Sequence, residues 1–225
     1  MTDAPDIATR RDMLLTDIGK LAAEAARPSD SIKLVAVSKR QSEERLDAAL
    51  AAGQRVFGEN RVQEAMAHWG ERRKVWSDLE LRLIGPLQSN KAADAVALFD
   101  VIETLDRPKL ADALHREMDR QGRRPRLYVQ VNTGAETQKA GVLVSELPAF
   151  LTRMRDEFSF EISGLMCIPP VEQPPGLHFA LLARLAAENG IGHLSMGMSA
   201  DYPVAVPLGA TSVRIGTGLF GAREV

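Results

Sequence analysis

The chain has 225 residues, 45% of them apolar and 5% aromatic, and a formal net charge of −2. This near-neutral balance with few aromatic rings offers no electrostatic or stacking platform for nucleic acid and no polybasic patch for a membrane, and the lone Cys167 excludes an intrachain disulfide. No run approaches the roughly 20 apolar residues of a membrane span, and charges at Asp6, Arg10, Arg11, Asp12 and Asp17 interrupt any signal-peptide core, so a cytoplasmic, soluble protein is expected.

In chain order, 1–27 reads as an extra N-terminal helix covering the bottom of the fold. Short apolar or β-branched runs then alternate with amphipathic stretches. The runs are Leu34–Ser38, Val56–Glu59, Leu81–Gly85, Val101–Leu105, Leu127–Val131, Ile162–Met166, His193–Met196 and Val213–Gly216, each bounded by turn residues. Helices are expected over Ser42–Ala52, stopped by Gly53, and over Val62–Trp69, ended by Gly70. Others span Lys91–Phe99, Pro108–Gln121 with proline in its first turn, Glu146–Asp156 and Leu177–Asn189. After Met198, Pro203 and Pro207 limit any helix to a short or irregular one.

Strand–helix alternation predicts parallel strands with helical crossovers. Eight strands fit an α/β fold of the (β/α)8 TIM-barrel type, built from residues 1–225 as one domain with the extra N-terminal helix. An open doubly wound sheet is the structural competitor. In a barrel, chemistry gathers at the C-terminal strand ends, here Lys39, Asn60, Gly85, Thr104, Asn132, Met166, Ser199 and Arg214. Closure makes the first and last strands neighbours, so Lys39 and Arg214 line one pocket.

Lys39 ends the run Lys33-Leu34-Val35-Ala36-Val37-Ser38-Lys39. Read as a surface residue it only follows a strand; read as a site residue, desolvation lowers its pKa and frees an amine for a carbonyl. Ser212 to Gly218 offers a cation and two glycines, either a chain-reversing turn or one half of a phosphate cradle. The other half is Leu194 to Ser199, after the seventh strand, where barrels bind phosphate. Together, an amine and an anion cradle suit a phosphorylated aldehyde, which points to pyridoxal 5'-phosphate (PLP) held as a Schiff base on Lys39. Arg214 is either an ion-pair partner or a fixed charge facing the pyridine nitrogen, which it would keep unprotonated and so a weak electron sink. Asn60 either bonds a ring substituent or caps the following helix. Glu59 and Glu64 read as ion-pair partners. His68, His115, His178 and His193 show no metal-ligand spacing, and Cys167 reads as a small core residue.

These residues resemble a known family, the pyridoxal phosphate homeostasis proteins, over almost the whole chain after the N-terminal helix. The likeness rests on Ala36-Val37-Ser38-Lys39, Phe57 to Glu64, Ile84 to Lys91, Glu136 to Gly141, Gly164-Leu165-Met166, Leu194 to Ser199, Arg214 to Thr217 and Phe220-Gly221, in family order. The resemblance implies a barrel similar to the alanine racemase N-terminal domain. It implies Lys39 as the Schiff-base lysine, Arg214 near the pyridine nitrogen, Ser199, Gly216 and Thr217 on the phosphate, and Asn60 beside the ring. It further implies buffering and delivery of PLP, with apo PLP-dependent enzymes as partners and no established catalytic reaction. Two departures stand out. The family's aromatic–His pair is replaced by Leu81-Arg82, and Pro203 and Pro207 fall where the family has a regular helix.

Two enzymes compete with a monomeric carrier. An amino-acid racemase needs an acid/base on each face of its substrate, and Tyr202 is the sole candidate opposite Lys39. A sugar-phosphate barrel enzyme would use Lys39 on the substrate itself, but no partner acid stands at a strand end.

Overall fold

A computed structural model describes residues 6–221; Met1–Pro5 of the expected N-terminal helix and the last four residues, 222–225, lie outside the described residues. The strands are β1 (Lys33–Val37), β2 (Val56–Glu59), β3 (Glu80–Leu83), β4 (Val101–Leu105), β5 (Arg126–Asn132), β6 (Val142–Leu143), β7 (Ile162–Met166), β8 (His193–Met198) and β9 (Ser212–Ile215). The helices are α1 (Ile7–Glu24), α2 (Glu43–Ala51), α3 (Val62–Trp69), α4 (Arg72–Val75), α5 (Ala92–Leu98), α6 (Pro108–Gln121), α7 (Leu147–Phe158), α8 (Pro175–Glu188), α9 (Tyr202–Ala205) and α10 (Thr217–Phe220).

Strand order β4-β3-β2-β1-β9-β8-β7-β5, with β4 also pairing β5, closes eight parallel strands into a barrel. The open doubly wound sheet is thereby excluded. β6 is a two-residue addition on β5 that the sequence reading missed, too short to show a period. Parallel strands are covered on both faces, and β4 is buried at every position. One face of each strand packs against the helices, through Leu34, Ala36, Phe57, Leu81, Leu83, Ile102, Leu165, Leu194, Val213 and Ile215. Each such Leu, Ile or Phe contributes roughly 1.5–3 kcal/mol of transfer free energy.

The alternate positions face the lumen. Ser195 of β8 donates to Glu103 of β4 at 2.5 Å, and these strands are not neighbours, so the bond crosses the barrel interior. Barrel interiors are usually filled with branched apolar side chains. This one combines Val35 and Tyr128 with Arg82, Glu103, Ser195, Ser212 and Arg214, all buried. Gly164 makes room for Tyr128: a Cβ there would stand 2.6 Å from the phenol ring.

The N-terminal helix does not cover the bottom. Leu14, Ile18 and Ala22, spaced four apart, bury one stripe of α1, and it lies against α2 and α10 on the barrel's flank. Tyr202 Oη donates to Asp17 at 2.6 Å, and Arg27 donates to the carbonyls of Val206 and Ala210, just before β9, at 2.6 and 2.7 Å. The α10 turn after β9 is too short to cover that strand pair, and α1 occupies the place of the missing crossover helix. α9 is one turn long, as the prolines require: Pro203 is tolerated in its first turn, and the chain leaves the helix at Val206 before Pro207.

Candidate functional site

Lys39 stands just past the end of β1, half-buried, and its two neighbours are each held by a carboxylate, one from the end of β2 and one from the first turn of α3. On one side Ser38 Oγ donates to Glu59 Oε1 at 2.7 Å and lies 3.3 Å from the Gly58 carbonyl. On the other, Arg40 adopts φ 57°, and its N–H donates to Glu64 Oε1. A non-glycine residue in the left-handed region is strained, and the Glu64 bond compensates for that here. The lysine stem thus leaves the sheet between two anchored peptides. A cleft of about 240 Å3 opens there, lined by Lys39, Arg40, Asn60, Arg61 and Glu64.

Glu59 is fully buried. Its Oε1 also accepts from His68 Nδ1 at 2.8 Å and Trp69 Nε1 at 3.1 Å, while Oε2 is buried with no hydrogen-bond partner among the described residues. The Glu59 hydrogen bond raises the His68 pKa against the opposing effect of burial. Glu59, Glu64 and His68 bring one ligand atom each to within 4.8 Å of one another, a cluster that sequence spacing did not reveal. Two of its members, His68 and Glu59, already share a hydrogen bond. Asn60 does not cap α3: Arg61 occupies the N-cap, and Asn60 lines the cleft. Its backbone is pressed against Gly85, where a Cβ would lie 2.3 Å from the Asn60 carbonyl oxygen.

The second cluster joins the ends of β8 and β9. Gly197 takes φ 90°, and a Cβ on it would meet Ala205 Cβ at 2.6 Å, so only glycine lets the chain turn there towards Ser199. Ser199 Oγ accepts from the Gly218 N–H at 3.3 Å, across the turn that carries the exposed Thr217. Gly216 links the clusters. β1 and β9 run in register with Ala36 opposite Ile215, and the nearest protein atom to a Cβ on Gly216 would be Val37 Cβ at 3.7 Å. A side chain there would be in ordinary van der Waals contact with Val37, so Gly216 packs beside the residue two positions before Lys39.

Arg214 lies below, in the lumen and 4% exposed. Its Nη1 donates to Ser195 Oγ at 2.7 Å and its Nη2 to the Cys167 carbonyl at 2.8 Å. Cys167 is a core residue as expected, with burial pushing its thiol up to about 12. Tyr202 is turned to α1 by its bond to Asp17, and burial followed by that bond lifts its phenol to about 12. His178, also buried, bonds Thr133 and Gln173 at 3.0 and 2.9 Å.

The residues whose lumen roles sequence reasoning missed follow Arg214 one after another: Ser195 bonds it, Glu103 bonds Ser195, and Arg82 bonds Glu103. The signal was available in strand parity. Each is a polar residue within an apolar run, on the face opposite Leu194, Ile102 and Leu81.

The family model for the alanine racemase N-terminal domain matches residues 17–224. The pyridoxal phosphate homeostasis protein of Escherichia coli (strain K12) is 34% identical over 228 residues, which cover 97% of each chain. Its counterpart in Pseudomonas aeruginosa is 39% identical over 216 residues, covering 92% of this chain and 91% of that one. The chain belongs to the pyridoxal phosphate homeostasis protein family. Within this family, the structure of PipY from Synechococcus elongatus with PLP bound matches with a TM-score of 0.79 at 38% identity, over 96% of this chain and all of PipY. An alanine racemase from Clostridium difficile shares the fold alone, with a TM-score of 0.69 at 14% identity over 94% of this chain and 59% of the racemase. Arg82 is a buried lumen residue, and the two prolines bound α9, Pro203 in its first turn and Pro207 just past its C-cap Val206. Among the described residues no helix is long and apolar enough to cross a membrane.

Proposed function

We propose that this protein holds PLP reversibly on Lys39 and maintains intracellular PLP and amino-acid pools as a carrier, without a catalytic reaction of its own. The observation that carries the reading is the adjacency of the half-buried Lys39, just past the end of β1, with the Gly216–Thr217 turn just past the end of the paired strand β9. The residues suit the group. Ser199, Gly216 and Thr217 would hold the phosphate, Asn60 would lie beside the ring, and Lys39 would supply the amine. Among the described residues Ser195 and Cys167 engage two of the five N–H groups of the Arg214 guanidinium, and a remaining donor would serve the ring nitrogen. The bound group would supply a carbonyl that another amine can capture, which allows exchange with amino acids or apo PLP-dependent enzymes. Arg214, always protonated, would donate to the ring nitrogen and keep it unprotonated, which weakens carbanion chemistry.

The racemase alternative lacks an opposing base. Tyr202 is engaged by Asp17, and Tyr128 is buried in the lumen. The test is visible absorption of purified protein with added PLP, then borohydride reduction and peptide mass mapping. A yellow protein with phosphopyridoxyl fixed on Lys39 is expected; a colourless protein with unmodified Lys39 sinks the proposal. Alanine racemisation that vanishes in Tyr202→Phe would restore the enzyme reading.

A further inference from the structure

The charged lumen is the feature that PLP carriage leaves unexplained. Its side chains form one continuous hydrogen-bonded line across the barrel. Arg214 Nη1 donates to Ser195 Oγ at 2.7 Å, Ser195 Oγ donates to Glu103 Oε2 at 2.5 Å, and Arg82 Nη1 donates to Glu103 Oε1 at 3.0 Å. Arg82 Nη1 also reaches Ser212 Oγ at 3.2 Å, while its Nε and Nη2 meet Glu80 Oε1 at 2.7 and 2.5 Å. At the N-terminal rim, Glu80 Oε2 accepts from Lys33 and Arg126 at 2.6 and 2.9 Å. Tyr128 completes the ring of groups around Arg82 and Glu103.

The direction of this line is forced. A guanidinium only donates, so Ser195 must accept from Arg214 and turn its own proton to Glu103. An ionised carboxylate only accepts, so Glu103 fixes that proton's direction. Four strands contribute, β3, β4, β8 and β9, and each side chain is buried. Charges buried in this way are retained only when paired. Glu103 is the one anion placed between Arg82 and Arg214.

We propose that Glu103 is a positioning residue for the cofactor. Acting through Ser195, it fixes the orientation of Arg214 and balances the positive charge that Arg214 and Arg82 present to the pyridine ring. This rests on the assignment of Arg214 to the ring nitrogen made above. It also gives the Leu81-Arg82 departure from the family pattern a consequence: the Arg82 guanidinium is shared between Glu80 on its own strand and Glu103 on β4, and the Glu103 side of it faces Ser195 and Arg214.

The experiment compares the full-length parent with Ser195→Ala, Glu103→Gln and the double variant Arg82→Gln/Glu103→Gln. Each is titrated with PLP, and the pH midpoint of the visible band of the Lys39 adduct is then measured. Glu103→Gln removes the anion between Arg82 and Arg214 while Arg82 keeps Glu80, and the added positive potential in the lumen is expected to lower the midpoint by about one pH unit. Ser195→Ala removes one charge-assisted bond from Arg214 and is expected to weaken PLP binding by about tenfold or more. The double variant removes the charges together, and its midpoint is expected to return to within about 0.3 of the parent.

If Glu103→Gln does not fold, Ser195→Ala and the double variant still decide the question, because neither changes the net charge of the lumen. Ser195→Ala with parental affinity, or a double variant whose midpoint departs from the parent by a full unit, overturns the inference. A double variant no closer to the parent than Glu103→Gln overturns it too. A parent that forms no adduct on Lys39 overturns the site assignment, and this inference falls with it. A parent that loads on Lys39 while all variants match it removes only the role of Glu103.

Discussion

Replacing Glu80 with glutamine tests the lower half of the lumen network. Glu80 meets Arg82, Lys33 and Arg126 within 2.9 Å, and its side chain is 17% exposed. Burial alone would raise its pKa. The charge of Arg82, followed by the Lys33 and Arg82 hydrogen bonds, outweighs burial and brings it to about 2, against 4.5 for a free side chain. A folded-state pKa below the unfolded one gives stability that is present above the unfolded value and lost as pH falls through the folded value. The window here therefore runs from about 4.5 down to about 2. The shift corresponds to roughly 3 kcal/mol at neutral pH, and partial solvent screening reduces this to about 2 kcal/mol. The assay is urea unfolding of parent and Glu80→Gln at pH 7 and at pH 3. The variant should be less stable by about 2 kcal/mol or more at pH 7, since Arg82 also loses a counterion, and the gap should narrow at pH 3. A gap of the same size at both pH values would refute the argument, because a pH-independent loss cannot arise from the ionisation of Glu80.

Cys167, buried and with its thiol pushed up to about 12, should resist maleimide in the folded protein and react once the chain is unfolded in urea; rapid labelling of the native protein would contradict the burial. Gly85→Ala should cost about 1–3 kcal/mol by overpacking, because its Cβ would meet the Asn60 backbone at 2.3 Å, and thermal unfolding reads the loss. The raised pKa of His68, due first to its bond with Glu59, gives stability that is full below about 6.5 and is lost as pH rises through the folded value. His68→Gln should abolish that decline between pH 6 and 9 in denaturant titrations at about one-unit steps; an unchanged pH profile would assign the decline to another group.

Much of the barrel was legible in the sequence because its signals are local. Short apolar runs, glycine stops at Gly53, Gly70 and Gly122, and the proline that opens α6 are all read within one element, and α3 and α6 match their predicted ranges residue for residue. Elements of one turn or less, α4, α10 and β6, escaped because a period needs more residues than they have. Lys39, Asn60, Ser199, Gly216 and Thr217 were legible as residues standing just past strand ends, a position that follows once strand limits and the barrel are assumed, whereas Arg214, expected at a strand end, lies within β9 and in the lumen.

What the sequence by itself determined is therefore the eight barrel strands, their order along the chain and the side chains near their ends. Only the tertiary structure decided which of them meet. That Ser195 reaches Glu103 across the lumen, 92 positions away in the chain, and that Arg214 is held by Ser195 and the Cys167 carbonyl, depends on barrel closure and register. The flank position of α1 depends likewise on the space left beside β9 by a one-turn α10. The physical reason is the same in each case. Propensity and periodicity are properties of neighbouring residues, whereas a buried charge acquires its partner from whichever strand closure brings to face it.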